Sequence, residues 1–282
     1  MPGYVEKTFR TRDGLDLYYR DYDGPAGKTP VLCLSGTGGN SRVYDDLAPH
    51  IAATRRVLTM DWRGHGRSGH DSDWQHYHYN VDRDDVIEFL GMLGLPKIVT
   101  VGTSLGGIVT MHIAGHRPEL LAGAVMNDVG PVIGLAGRKR LHDNMGKPMV
   151  FDSFEEAAVA IKERAEEGFD FTPDEWLLRA HRIYFEDNDG KVKANMDPMY
   201  GRVFRERKRL PDYWHFYDGM KPIPVLAVRG AVSDILDQDT LDEMQRRKPD
   251  LRTVIVPGRG HCPMLTEPVA LAAIDAFLAD IP

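Results

Sequence analysis

Between residues 30 and 130, short runs that are apolar on both faces alternate with longer segments of helical spacing. No other feature of the chain narrows its fold as much. The runs at 30–34 (PVLCL), 56–60 (RVLTM), 98–101 and 122–126 are predicted strands. A strand apolar on both faces must be covered on both sides. The segments at 41–53, 81–93 and 105–115 supply the cover; in the second, Val81, Val86, Phe89, Leu90 and Leu93 fall on one helical face. Strand and helix in strict alternation predict an α/β chain with a mostly parallel central sheet and helices on both faces. The rhythm returns with strands at 224–228 and 253–256 and helices at 240–247 and 268–278. Ahead of it, VEKTFR and LDLYYRDYD flank Asp13-Gly14 and predict a hairpin, half exposed at a sheet edge.

The rhythm is broken once. From Pro131 to about His215 no clear strand is legible, and the segment carries charge clusters (RKR at 138–140, RAEEG at 164–168, RERKR at 205–209) and helical stretches such as 154–166. Residues 131–215 therefore read as a helical lid inserted into a core made of 1–130 and 216–282. A chain of 282 residues accommodates both.

Composition excludes several classes of function. Lys plus Arg is 35 against 42 for Asp plus Glu, a formal charge of -7. That argues against nucleic acid or an anionic membrane as the partner and leaves a small-molecule substrate. No apolar run approaches the roughly 18 residues of a membrane span. The opening MPGYVEKTFR has no apolar signal segment, so a soluble, cytoplasmic protein is expected. The two cysteines, Cys33 and Cys262, form no CxxC and suggest neither zinc nor a disulfide scaffold. His76 and His78 sit in a polar, aromatic loop with no evident third ligand, and neither metal nor cofactor is expected. Nothing in the sequence is diagnostic of oligomeric state.

Chemistry is carried by Gly102-Thr103-Ser104-Leu105-Gly106, set between an apolar strand and a helix. Gly-x-Ser-x-Gly in that setting is a nucleophile elbow, a tight turn in which flanking glycines make room for a serine in a strained backbone conformation. Such a serine needs a base and an orienting acid. The base candidate is His261, in the loop Pro257-Gly258-Arg259-Gly260-His261-Cys262-Pro263 between the last strand and the last helix. His112 and His116, inside the elbow helix and near its end, fit packing and capping roles better. The acid candidate is Asp234, just beyond a buried strand, which gives the chain order Ser, Asp, His; its competitor is Asp128, at the end of the preceding sheet strand. Both lie at carboxyl ends of strands, where open α/β sheets form sites. The glycine-rich loop Leu34-Ser35-Gly36-Thr37-Gly38-Gly39 can aim a backbone N–H at a substrate carbonyl. Thr37 and Leu105 are the candidate oxyanion donors. The loop has neither the GxGxxG register nor the Lys-Ser/Thr of a phosphate loop.

These motifs, in this order, resemble the α/β-hydrolase family over nearly the whole chain. Asp61-Trp62-Arg63-Gly64-His65-Gly66-Arg67-Ser68 resembles the family's Asp-x-Arg-Gly-x-Gly-x-Ser loop after the fourth strand, Arg229 to Asp234 its acid loop, and Gly260-His261 its histidine loop. The resemblance implies Ser104 as nucleophile, Asp234 as acid, His261 as base, Thr37 and Leu105 as oxyanion donors, and 131–215 as the variable lid. One departure is Ser35-Gly36 where many relatives have His-Gly, which bears on how the oxyanion loop is held. Relatives that open epoxides or remove halide carry aspartate at the elbow, so serine disfavours those reactions.

The expected reaction is acyl transfer from a carboxylic ester or lactone to Ser104, followed by hydrolysis. Hydrolysis of a carbon–carbon bond in a ring-cleavage product is the alternative, and a ligand receptor on the same fold is the reading from a different class. The lid arginines Arg138, Arg140, Arg179, Arg182 and Arg202 are candidates for binding substrate carboxylates, weighed against a solvated helical face. The aromatics Trp176, Tyr184, Phe185, Tyr200, Phe204, Trp214 and Phe216 suggest an apolar underside, though packing of the lid on the core accounts for most of them. Cys262 has no base of its own, and being next to His261 in sequence is not attack geometry.

Overall fold

The computed structural model describes residues 3–144, 149–206 and 212–282, without the side chains of 204 and 205. Most of the RERKR cluster and the Phe204 side chain therefore lie outside the described residues. The hairpin predicted around Gly14 joins β1 (Tyr4–Arg10) to β2 (Asp16–Tyr22), with Tyr4 opposite Tyr22 and Arg10 opposite Asp16. Gly14 turns the chain at φ +89°, a left-handed conformation that favours glycine. There follow β3 (Val31–Leu34), α1 (Leu47–Ala52), β4 (Val57–Met60), α2 (Tyr79–Met92), β5 (Ile98–Thr103), α3 (Leu105–His116) and β6 (Leu121–Asn127). The insertion contributes α4 (Leu135–Asn144), β7 (Val150–Phe151), α5 (Phe154–Glu163), α6 (Pro173–Ile183), β8 (Tyr184–Glu186), β9 (Val192–Ala194) and α7 (Tyr200–Glu206). The chain returns through α8 (Trp214–Asp218), β10 (Val225–Gly230), α9 (Gln238–Arg247), β11 (Arg252–Val256) and α10 (Pro268–Ala279).

One eight-stranded sheet runs β1-β2-β4-β3-β5-β6-β10-β11. From β4 to β11 neighbouring strands are parallel; β2 is antiparallel to both β1 and β4. The strand order reverses between β3 and β5, so the loops after them diverge and leave a crevice at their carboxyl ends. The strands' alternating faces explain the double cover. Leu32 and Leu34 of β3 join the core under α2, α3 and α9, while Val31 and Cys33 join the core under α1 and α10.

Two expectations need correction. β2 is not half exposed: from Leu17 to Tyr22 it is buried between two strands. Its polar residues read as solvent-facing but are buried with partners. Arg20 pairs with Asp45, and Asp21 accepts from Lys7 at 2.7 Å and from Arg56 at 2.8 Å. The insertion, in turn, is not purely helical. It contains a small antiparallel sheet, β7-β9-β8, whose strands of two and three residues are too short to show a period of two. With α5 and α6 this sheet encloses a separate apolar core of Phe151, Ala157, Phe171, Trp176, Ala180, Tyr184 and Val192.

Candidate active site

The Gly102–Gly106 turn that carries Ser104 sits where the strand order reverses. Ser104 joins β5 to α3 with φ 51° and ψ -111°, a positive φ that costs a non-glycine residue energy. The flanking glycines are needed for contact as well as for turning. A Cβ on Gly106 would lie 2.0 Å from the carbonyl oxygen of Leu34, and one on Gly102 would lie 2.6 Å from the backbone of Gly106. The turn is thereby pressed against β3 and its loop, and the Gly106 N–H donates to the Ser35 carbonyl at 3.1 Å.

The loop after β3, which opens on Ser35-Gly36, is held by the loop after β4. Ser35 is fully buried, and its carbonyl also accepts the indole N–H of Trp62 at 2.8 Å. Asp61, buried beside Trp62, accepts from the N–H of Ser41 at 2.6 Å and of Arg67 at 2.9 Å. The Asp-Trp-Arg-Gly loop thus braces the glycine-rich loop. The N–H of Leu105 opens a helix and has no intrahelical acceptor. Neither it nor the N–H of Thr37 donates to an acceptor among the described residues.

His261 and Asp128 meet. Nδ1 of His261 stands 2.8 Å from Oδ2 of Asp128, whose carboxylate is fully buried. Asp128 follows β6 directly, at φ 53°, and accepts from the Gly230 N–H at 2.7 Å and the Ser233 hydroxyl at 2.5 Å. Three donors around one buried carboxylate satisfy its charge. The expectation that Asp234 meets His261 is not fulfilled. Asp234 lies four positions past the end of β10, and its side chain turns to the insertion, where Arg140 of α4 grips it with two bonds of 2.8 and 2.7 Å. Burial works to raise the Asp234 carboxyl, but the Arg140 guanidinium outweighs it and holds the group below the usual carboxylate range. Its loop serves the site through Ser233, which sequence reasoning passed over. A residue flush with the end of a buried strand, as Asp128 is after Met126-Asn127, was the available signal.

Glu166 was also missed. It comes from the insertion, accepts the backbone N–H of His261 at 2.7 Å and shares Arg140 at 2.9 Å. Burial pushes its carboxyl up against the opposing pull of Arg140. Nothing in the RAEEG cluster set Glu166 apart from its neighbours, because its role depends on a loop nearly a hundred residues away. Asn127 ties the elbow to the histidine loop, its amide donating to Thr103 Oγ1 at 3.1 Å and to the Pro263 carbonyl at 3.0 Å.

Ser104, His261, Thr37 and Leu105 border one cavity of about 700 Å³, walled on the far side by the insertion. Cys262 borders it too; burial pushes its thiol up, and the adjacent Arg179 acts the other way. Cys33 and Cys262 are both free. His112 packs against Phe216 with ring centres 3.8 Å apart, and Nδ1 of His116 contacts the His112 carbonyl at 2.8 Å. His78 caps α2. His76 lies near Asp71 and Asp13, but both carboxylates bind the Arg63 guanidinium, at 2.9 and 2.6 Å. Among the described residues no helix is long and apolar enough to cross a membrane.

Residues 31–274 match the family model of the alpha/beta hydrolase family. An alpha/beta hydrolase from Novosphingobium aromaticivorans superposes with a TM-score of 0.94 at 34% identity, covering 99% of both chains. The 3-hydroxybutyrate-oligomer hydrolase of Cupriavidus necator is 28% identical over 272 residues, 93% of this chain and 92% of that one. The 2-(acetamidomethylene)succinate hydrolase of Mesorhizobium japonicum is 27% identical over 264 residues, 88% of this chain and 87% of its own.

Proposed function

The chain belongs to the alpha/beta hydrolase family, and we propose that it is a serine hydrolase cleaving a small-molecule carboxylic ester or lactone through an acyl-enzyme on Ser104. The observation that carries this reading is the 2.8 Å contact of His261 with a buried carboxylate, made at the wall of the cavity that Ser104 also borders. With Nδ1–H donating to Asp128, the imidazole keeps Nε2 unprotonated as the base. Nε2 takes the Ser104 proton as Oγ attacks the ester carbonyl. Asp128 fixes the ring and stabilises the imidazolium that results. The N–H groups of Thr37 and Leu105 receive the oxyanion. His261 returns the proton to the departing alkoxide, and a water activated by the same nitrogen then releases the acid. The insertion serves as the lid that excludes bulk water from this sequence.

Among esters, oligomers of a short hydroxy acid are the first class to assay, because the Cupriavidus relative carries that activity in its name and aligns over nine-tenths of this chain. The direct test is a single-turnover series of 4-nitrophenyl esters of increasing acyl length, with wild type beside Ser104→Ala. A nitrophenol burst in wild type, and a rate lower by roughly 10³- to 10⁶-fold in the variant, is the expected result. A variant that keeps most of the rate overturns the assignment. Absence of turnover with every ester moves the weight to carbon–carbon bond hydrolysis or to a ligand receptor.

A further inference from the structure

The wall of the cavity is unusual in charge. Among the described residues it is lined by five arginines (Arg138, Arg140, Arg164, Arg179 and Arg182) and by one carboxylate, Glu166, in a chain whose net charge is -7. Two of these cations are already neutralised. Arg140 binds Asp234 and Glu166, and Arg182 binds Asp46 at 2.5 Å. Arg138, Arg164 and Arg179 have no carboxylate partner among the described residues. None of the residues outside that description, at 1–2, 145–148 and 207–211, is acidic, so no carboxylate there could pair with them.

Of the three, Arg138 and Arg164 are exposed and keep their hydration, while Arg179 is half-buried. A guanidinium partly removed from water without a counter-ion is costly, and an anion in the cavity relieves that cost. Its position is also fixed. Arg179 is carried on α6, whose Thr172 cap and Glu175 form a closed capping box. Glu175 pairs with Arg259 of the histidine loop at 3.0 Å, and the Arg182 carbonyl accepts from the Asn40 amide at 3.0 Å. The helix is thus tied on one side to the loop carrying the base and on the other to the glycine-rich loop. Arg179 stands between these ties, beside Cys262, the residue that follows His261.

The geometry points to Arg179 as a specificity residue: the substrate is an ester that also carries a carboxylate, and Arg179 binds that carboxylate. This rests on the serine-hydrolase reading above and narrows it to hemi-esters of dicarboxylic acids and to hydroxy-acid esters with a free acid end. A planar guanidinium suits a carboxylate because it can donate two parallel N–H bonds.

A matched pair tests it: 4-nitrophenyl hydrogen glutarate against neutral 4-nitrophenyl pentanoate, with wild type, Arg179→Leu and Arg179→Lys. Wild type should favour the anionic ester in kcat/KM. Arg179→Leu should raise KM for that ester by roughly 10- to 100-fold and leave the neutral one within about twofold. Lysine should restore part of the loss. Equal effects on both esters, or an anionic preference that survives Arg179→Leu, overturns the assignment. Calorimetric binding of monomethyl glutarate to Ser104→Ala, with and without Arg179→Leu, needs no turnover. Binding that depends on Arg179 supports the site even if the serine chemistry fails, and binding indifferent to Arg179 refutes it even if ester hydrolysis succeeds.

Discussion

Oδ2 of Asp128 lies 2.8 Å from Nδ1 of His261, although 133 positions separate the two residues in the chain. The contact exists because β6 and β10 are parallel neighbours, which puts Asp128 level with the Gly230 N–H that holds it, and because the loop after β11 folds back over both.

That contact and the Arg140 grip on Asp234 make opposite predictions for two conservative substitutions. Asp128→Asn keeps the shape but removes the charge that fixes the imidazole tautomer, and should lower kcat by about 10⁴-fold with little change in KM. Asp234→Asn should lower kcat by less than about tenfold, because its partner is a guanidinium and not the base. Steady-state hydrolysis of a 4-nitrophenyl ester decides between them. A large loss at Asp234 with little at Asp128 would reverse the assignment.

On the proposed mechanism Ser233 acts through Asp128 rather than on the substrate. Its hydroxyl donates to Asp128 Oδ2 at 2.5 Å and accepts from the N–H groups of Ile235 and Leu236 at 3.2 Å. A hydrogen bond to a charged group contributes about 1.5–3 kcal/mol. Ser233→Ala should therefore lower kcat by roughly tenfold or more while KM stays put, and Ser233→Thr should recover most of it. A loss confined to KM would mean that the residue acts on the substrate instead.

Much of this was legible in the sequence, for identifiable reasons. The strands β3 and β5 and the helix α3 announced themselves because both strand faces are apolar and the elbow glycines have no room for a Cβ. The turn holding Ser104 is local and leaves a local pattern. The contact of Asp128 with His261 is not local. Asp128 and Asp234 both follow buried strands and both lie between Ser104 and His261 in the chain, so order does not separate them; Arg140, which binds Asp234, comes from the insertion and leaves no pattern in the loop after β10. β2 was misread for a related reason: its Arg20 and Asp21 find their partners at Asp45 and Arg56, far along the chain.

The glycine-rich loop proposed to bind the oxyanion is braced by Trp62. The indole N–H donated to the Ser35 carbonyl at 2.8 Å is a principal tie from the Asp-Trp-Arg-Gly loop to the peptide leading to Thr37. Trp62→Phe removes that donor and keeps an aromatic ring in the core. A neutral hydrogen bond of about 0.5–1.5 kcal/mol corresponds to a fall in kcat of roughly two- to tenfold. Urea titration and kinetics together test this. Loss of stability with kcat intact would confine Trp62 to packing.

Two buried histidines contribute to how the fold responds to acid. Burial lowers the His112 pKa from 6.5 to about 3, with Arg83 and the neighbouring histidines adding to the effect, and burial lowers His65 to about 4. Neither ring nitrogen of His112 has a hydrogen-bond partner among the described residues. Both groups are neutral in the folded protein at a pH where the unfolded chain already binds their protons. Their stabilising contribution is complete above pH 6.5 and is lost as the pH falls toward 4. The slope is about 1.4 kcal/mol per pH unit for each extra proton bound by the unfolded state. His112→Phe keeps a ring against Phe216 and removes one such proton. Urea denaturation between pH 4.5 and 8 should show the variant's stability falling less steeply than that of wild type, by close to one proton over the lower half of that window. An unchanged slope would mean that His112 is protonated in the folded state, which the apolar packing around it opposes.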